Sequence, residues 1–374
     1  MMRSYSCLLA MLVLACGGAP EDRHAVGQAQ VDSAIESIPL SDLPHQALPA
    51  RLVVDSPLYT IGINPRNDAE ELGYVTEGIL LADGSAVVGD LKRDRLVVVS
   101  PDGRAVTTFG REGEGPEEFQ ETSALLAGSG QRFTVIDNGL HRRLELAVMP
   151  EGIEVASSRR FDTQPAEVCQ GSDGLVSLDY DPSTQRLLHH LDQRGRRDNS
   201  FGLPLVIGSN QLNNSLAQGE LLCLPDRNAV MFAAMTGDLL MFDARTGAVI
   251  WRRKVPDFLP VSVQQRGEMV VFTYAPPPGN KAHFPAGLHR LDAERALLIV
   301  GVQERETLPD GKVRIFTSAA EARMIDIASG VQLVHQAPVP VILDLRDSLA
   351  LIKGDDPEPW IGVSKVRLDF ERDI

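Results

Sequence analysis

The chain has 374 residues, of which 43% are hydrophobic and only 5% aromatic, and its formal net charge is −15. This is ample apolar material for a large core, and the acidic balance argues against nucleic acid as a partner and against adhesion to anionic lipid. The 32 glycines and 24 prolines are typical of many short strands joined by tight turns.

The first residues have the features of a bacterial export signal. Arg3 supplies a positive charge, and the apolar run Leu8–Ala15 is too short to span a bilayer as a helix. The run ends in Val13-Leu14-Ala15-Cys16, which is similar to a bacterial lipobox. The resemblance implies that residues 1–15 are a signal peptide and that Cys16 is lipidated. An ordinary signal peptide cleaved nearby is the alternative.

The segment after Cys16 predicts a flexible tether. Residues 16–50 are rich in Ala, Gln, Ser, Asp, Glu and Pro and show little periodicity. Gly17, rather than Asp, follows the cysteine, which in lipoproteins implies the outer membrane. We therefore expect a cell-envelope protein, facing the periplasm or the cell surface, that meets the membrane through its lipid anchor only. Residues 51–374 are predicted to form a single domain.

Four similar units follow, each with four short runs that favour β-strands and are separated by turn residues. The predicted strands are 79–82, 85–89, 95–100 and 105–109 in the first unit, 123–127, 132–137, 143–148 and 154–161 in the second, 167–170, 175–180, 186–191 and 197–201 in the third, and 220–224, 229–234, 238–242 and 248–255 in the fourth. Such repeated four-stranded units predict an all-β propeller.

Glycines in the last turn of each unit indicate the repeat length. Gly103, Gly152, Gly195 and Gly247 are 49, 43 and 52 residues apart, whereas Gly330 follows 83 residues later. A propeller blade of four strands takes about 40–50 residues. The long interval therefore fits either two blades or one blade with an insertion, so the count permits six or seven blades.

The two ends of the domain complement each other. Residues 339–370 contain only about three strands, and 51–61 offers the missing one. Pairing the two would close the ring and remove exposed strand edges. The sequence contains no long amphipathic helix, which excludes Rossmann, TIM-barrel and helix-bundle folds.

The linker FGREGEGPEEF, residues 109–119, carries a family resemblance. Its string resembles the link between the first two blades in bacterial six-bladed β-propellers related to NHL repeats, on Gly110, Arg111, Gly113, Gly115, Pro116, Glu118 and Phe119. The next blade, with VIDNGLHR at 135–142, is also similar to an NHL strand pair. The resemblance favours six blades. We interpret the linker glycines as a hinge rather than a phosphate cradle, since no helix and no Gly-Lys-Ser/Thr follows.

Cys169 and Cys223 remain in the mature chain, and they raise the question of a disulfide in an oxidising compartment. Each falls on the first strand of its unit. Because innermost strands of neighbouring blades usually lie too far apart for a bridge, two buried thiols are the favoured interpretation.

Propellers bind ligands at the loop-lined ends of the central channel, so the starts of the innermost strands are the candidate contacts. We predict that Glu77, Asp137, Glu167 and Glu220 line the channel. For Asp137 and the nearby His141 a second interpretation is open: both side chains bond to the backbone of a repeated tight turn.

The sequence lacks two common catalytic motifs of hydrolases. Neither a Gly-x-Ser-x-Gly elbow nor a His-Glu-x-x-His motif occurs. His189-His190 is expected to be a surface pair with side chains on opposite faces of a strand, and 355–358 is expected to be a solvated acidic loop. No catalytic residue, metal ligand or cofactor is predicted.

The predicted function is a non-catalytic ligand-binding or protein-interaction scaffold whose partner is an unidentified protein or small molecule. The alternative, implied by the family resemblance, is a metal-dependent hydrolase or lyase of the lactonase-like propeller type with a divalent cation in the channel.

Overall fold

A computed structural model describes residues 50–203, 210, 213–214, 217–260, 262–266, 269–273, 281–307, 313–354 and 358–370. The predicted signal peptide, Cys16, most of the tether and three residues of the acidic loop 355–358 lie outside this range. The regular secondary structure of the described residues is almost entirely β-strand, with a 3-10 helix at Pro225–Arg227.

Two strands, β1 (Ala50–Val54) and β2 (Tyr59–Ile61), precede the first blade. Blade 1 contains β3 (Val75–Leu80), β4 (Ala86–Asp90), β5 (Arg95–Val99) and β6 (Val106–Phe109). Blade 2 contains β7 (Thr122–Ala127), β8 (Arg132–Asp137), β9 (Arg142–Met149) and β10 (Gly152–Arg160). Blade 3 contains β11 (Glu167–Gln170), β12 (Leu175–Asp181), β13 (Arg186–Leu191) and β14 (Arg197–Phe201). Blade 4 contains β15 (Gly219–Leu224), β16 (Ala229–Ala234), β17 (Asp238–Asp243) and β18 (Val249–Lys254).

A separate hairpin, β19 (Ser262–Arg266) with β20 (Met269–Thr273), follows blade 4. Blade 5 contains β21 (Lys281–Arg290), β22 (Arg295–Thr307), β23 (Val313–Asp326) and β24 (Gln332–Val339). Blade 6 contains β25 (Val341–Arg346), β26 (Leu349–Gly354) and β27 (Trp360–Phe370), to which β1 adds the fourth strand.

The six blades form a closed ring. In each blade the strands pair antiparallel in sequence order, and the first strand of each blade contacts the first strand of the next, from β3 round to β25 and back to β3. These are the innermost strands. The prediction of a β-propeller with six blades is confirmed, and the interval of 83 residues between Gly247 and Gly330 contains one blade and the inserted hairpin.

An N-terminal strand closes the ring, as predicted. In β1 Leu52 lies opposite Leu368 of β27, and its side chain is only 2% exposed. Gln336 of blade 5 fixes the same residue twice: it accepts a hydrogen bond from the Leu52 N–H at 2.9 Å and donates one to the Leu52 carbonyl at 2.8 Å. Strand pairing and this side-chain bridge together cover the edge that blade 6 would otherwise expose.

Four of the late-turn glycines pack against an aromatic residue that belongs to the preceding blade. These four have φ of +70 or +71°, where glycine is favoured: Gly103, Gly195, Gly247 and Gly330. A Cβ on Gly195 would lie 2.3 Å from a ring carbon of the fully buried Phe161, and the other three glycines meet Tyr59, Phe201 and Trp251 in the same way. Gly152 differs, since its φ is +145° and no atom lies within 4 Å of an added Cβ.

The segment 109–119 is a structural link between blades 1 and 2. The buried ring of Phe119 lies against Gly110, whose φ is +92°, and packs edge-on against Phe109. Glu118 accepts a hydrogen bond from the Gly115 N–H and forms an ion pair with Arg111, both at 2.8 Å. The hinge interpretation agrees with these contacts, because the linker's own residues fill its glycine-lined space.

Two expectations were wrong. Cys169 and Cys223 form a disulfide, because β11 and β15 approach closely enough for a Cα–Cα distance of 5.5 Å. His189 is fully buried rather than on the surface: it contacts the Ser200 hydroxyl at 2.8 Å and the Asp179 carbonyl at 3.0 Å. Its neighbour His190 contacts the Ala244 carbonyl of blade 4, so the two rings do lie on opposite faces of β13.

Candidate functional site

Three of the predicted channel residues occupy matching places on innermost strands. Glu77 lies on β3 of blade 1, Glu167 on β11 of blade 3 and Glu220 on β15 of blade 4. Each comes two residues before a side chain that packs against the next blade, namely Ile79, Cys169 and Leu222. Since side chains alternate along a strand, the three glutamates leave their strands on the same side.

The three carboxyl groups influence one another electrostatically. Blades 1 and 4 stand opposite each other in a ring of six, yet the charge of Glu220 acts on Glu77 and raises its pKa. The charges of both other carboxylates likewise raise the pKa of Glu167 in blade 3. Groups on opposite blades can interact in this way only through the middle of the ring. That these glutamates line the central channel, which is bounded by innermost strands, stays a prediction.

Burial shifts all three groups towards the neutral form. Burial, followed by the charge of Glu220, raises the pKa of Glu77 from 4.5 to about 8. Burial also raises the pKa of Glu220 to about 7, and burial with the charges of Glu77 and Glu220 raises the pKa of Glu167 well above 4.5. Glu77 and Glu220 consequently gain and lose protons near neutral pH, where ordinary carboxyl groups are fully ionised.

One cation moderates the cluster. Lys353 of β26 donates a hydrogen bond from Nζ to the Val75 carbonyl at 3.0 Å, and its charge lowers the pKa of Glu77 against the larger effect of burial. The sequence interpretation missed this lysine. It lies on a second strand rather than an innermost one, so no repeat position pointed to it.

Asp137 has its contacts in a turn of blade 2. Its carboxylate is fully buried and accepts hydrogen bonds from the N–H groups of Glu121 and Leu140, both at 3.1 Å, while Arg142 lies 3.5 Å away. Asp90 of blade 1 accepts from Gly73 and Tyr74 in the same way and pairs with Arg95.

The structure thus places Glu77, Glu167 and Glu220 on innermost strands of three blades, and it places Asp137 in a tight turn where its carboxylate bonds to the backbone. His141 lies in the same turn with a φ of +50°.

Two histidines on β21 of blade 5 bond to backbone atoms. The Leu259 N–H donates to His283 Nδ1 at 3.1 Å, and His289 Nε2 lies 3.0 Å from the Ile342 carbonyl. Within the described part of the chain, no three His, Cys, Asp or Glu side chains are grouped so that they could hold a metal ion. The channel glutamates are therefore coupled electrostatically without forming a ready-made ligand shell.

Similar folds occur among solved structures. No family model and no curated protein matches the chain. A protein of Bacteroides fragilis described as exported is 11% identical, with a TM-score of 0.54 over 89% of this chain and 98% of that one. BamB from Moraxella catarrhalis is 14% identical (TM-score 0.39, 79% and 86% covered), and a streptogramin B lyase is 13% identical (TM-score 0.40, 82% and 81% covered).

At these identities the likeness extends to the fold alone, and the first of the three carries it. Membership of the NHL-related family stays a prediction. Among the residues that the structure describes, no helix has the length and apolar character needed to cross a membrane.

Proposed function

We propose that this chain is a lipid-anchored propeller of the bacterial cell envelope, attached through Cys16, that binds a ligand or a partner protein without catalysing a reaction. The electrostatic coupling of Glu77, Glu167 and Glu220, which stand on innermost strands of three blades, is the observation that supports this proposal. The location rests on the apolar run and the lipobox-like string that precede Cys16.

The group that the channel binds is a cation. The charge of Lys353 acts on Glu77, whereas the coupled set contains three carboxyl groups. When all three are ionised, negative charge is therefore in excess over this lysine. Charge interactions are strong where surrounding protein excludes water. An amine or guanidinium group, from a small molecule or from a side chain of a partner, would supply both the positive charge and the hydrogen-bond donors that carboxylates accept.

Cation binding should be linked to pH. A carboxyl group with a pKa of about 7 or 8 is mostly neutral at pH 6 and mostly ionised at pH 9. A cation favours the ionised form, so its affinity rises with pH through this range, and binding at pH 7 releases protons.

Titration with spermidine, a flexible trication, tests the proposal by calorimetry at pH 6, 7.5 and 9. We expect binding that strengthens with pH. The double substitution Glu77→Gln/Glu220→Gln should weaken it by at least about a hundredfold, since hydrogen bonds to charged groups each contribute roughly 1.5–3 kcal/mol.

The matched control is Asp102→Asn, which removes one carboxylate whose side chain is 60% exposed in a turn of blade 1. It should leave the affinity unchanged. Absence of binding at all three pH values would contradict the proposal. Parallel titrations with Ca²⁺ and Zn²⁺ address the metal-dependent hydrolase or lyase: a large rise in melting temperature with either ion, lost in the double variant, would favour that alternative.

A further inference from the structure

A second polar cavity lies on the outside of the ring, where blades 2 and 3 meet. Its volume is about 860 Å³, within the range of roughly 300–1,000 Å³ that is usual for ligand pockets. It is lined by residues at the end of β10 and in the turn between β13 and β14, namely Arg159, Arg160, Asp162, Gln193 and Arg194.

The cavity concentrates positive charge on an acidic protein. Three guanidinium groups and one carboxylate give the lining a formal charge of +2, whereas the whole chain carries −15. Arg160 forms an ion pair with Asp162 at 2.5 Å, and Arg159 donates a hydrogen bond to the Gln193 amide oxygen at 3.1 Å. Among the described residues, the guanidinium group of Arg194 has no hydrogen-bond or ion-pair partner.

The backbone holds the two sides of the cavity in place. The Asp162 N–H donates to the Arg194 carbonyl at 3.1 Å, which ties blade 2 to the turn of blade 3. The Arg194 N–H donates to the Asp192 carboxylate at 2.8 Å, and Gly195 lies directly against the buried Phe161 ring. Arg194 therefore projects from a fixed turn, so ligand binding has to order its side chain but not its backbone.

We propose that this cavity binds a phosphate group in its dianionic form. Guanidinium groups match phosphate oxygens with paired donors, and a phosphomonoester carries about −1.5 to −2 charge at pH 7, which complements a lining of +2. A single carboxylate would balance only half of that charge. The phosphate belongs either to a soluble phosphomonoester or to a lipid headgroup, and both present the same oxygens to the three arginines.

Glycerol 3-phosphate and vesicles of phosphatidylcholine with phosphatidic acid are suitable probes for the full chain. We expect calorimetry to detect binding of the soluble compound, weaker at high salt. The double variant Arg160→Gln/Arg194→Gln should bind at least about tenfold more weakly. Because both side chains are exposed, the variant should keep the wild-type melting temperature.

The matched control is Arg104→Gln, which removes an exposed arginine from the corresponding turn of blade 1 and should leave binding within about twofold. Tighter binding to the phosphatidic acid vesicles than to the soluble compound assigns a lipid headgroup, and the reverse assigns a free phosphomonoester. Failure of the wild type to bind either probe, or equal binding by the double variant, would overturn the proposal. Neither result bears on the channel glutamates, because the two sites share no residue.

Discussion

Single glycines set how closely neighbouring blades approach. Gly195 combines a left-handed backbone with a face that has no room for a methyl group, because the ring of Phe161 occupies that space. The sequence predicted where the turns are, since only a few residue types tolerate positive φ. It did not predict the aromatic partners, which come from the preceding blade and far from the turn in sequence.

Alanine at position 195 should be strongly destabilising. The left-handed backbone costs a side chain about 1–2 kcal/mol, and the contact with Phe161 should add about 1–3 kcal/mol. Gly130 provides the control, with a φ of +63° and no atom within 4 Å of an added Cβ. In urea unfolding, Gly195→Ala should therefore lose clearly more stability than Gly130→Ala. Equal losses would show that the aromatic contact does not constrain the turn.

The strands and their order could be predicted well, because β-branched runs and turn residues are local signals. The insertion was ambiguous from the sequence: turn spacing between Gly247 and Gly330 cannot distinguish an extra blade from the hairpin β19–β20. The disulfide was predicted wrongly for a different reason. Its formation depends on how near β11 comes to β15, and that distance follows from the curvature of the ring rather than from any local pattern.

The disulfide should stabilise the pairing of blades 3 and 4. It joins residues 54 apart in sequence. Closing a loop of that length lowers the entropy of the unfolded chain, which raises the free energy of that state by about 4 kcal/mol at 25 °C. Cys169→Ala/Cys223→Ala should lower the free energy of unfolding by about this amount, measured with denaturant. Wild-type protein treated with a thiol reductant should lose a similar amount. A variant as stable as the oxidised wild type would contradict this expectation.

The candidate site is a property of the whole ring. The sequence pointed to Glu77, Glu167 and Glu220 as separate strand starts, because each stands at the beginning of an innermost strand. Their mutual influence depends on which blades stand opposite each other, and this is decided only when six blades close. The electrostatic coupling of these carboxyls is therefore the feature that the fold adds to the sequence, and burial together with this coupling raises the pKa values of Glu77 and Glu167.

The electrostatic coupling between Glu77 and the glutamates of the other blades can be tested by measuring the pKa of the Glu77 carboxyl. It can be measured by NMR with ¹³C-labelled glutamate, in the wild type and in the Glu220→Gln variant. We expect a pKa near 8 in the wild type and a lower pKa in the variant, because the negative charge on the opposite blade is removed. A Glu77 pKa near the ordinary 4.5 that is the same in both proteins would contradict it.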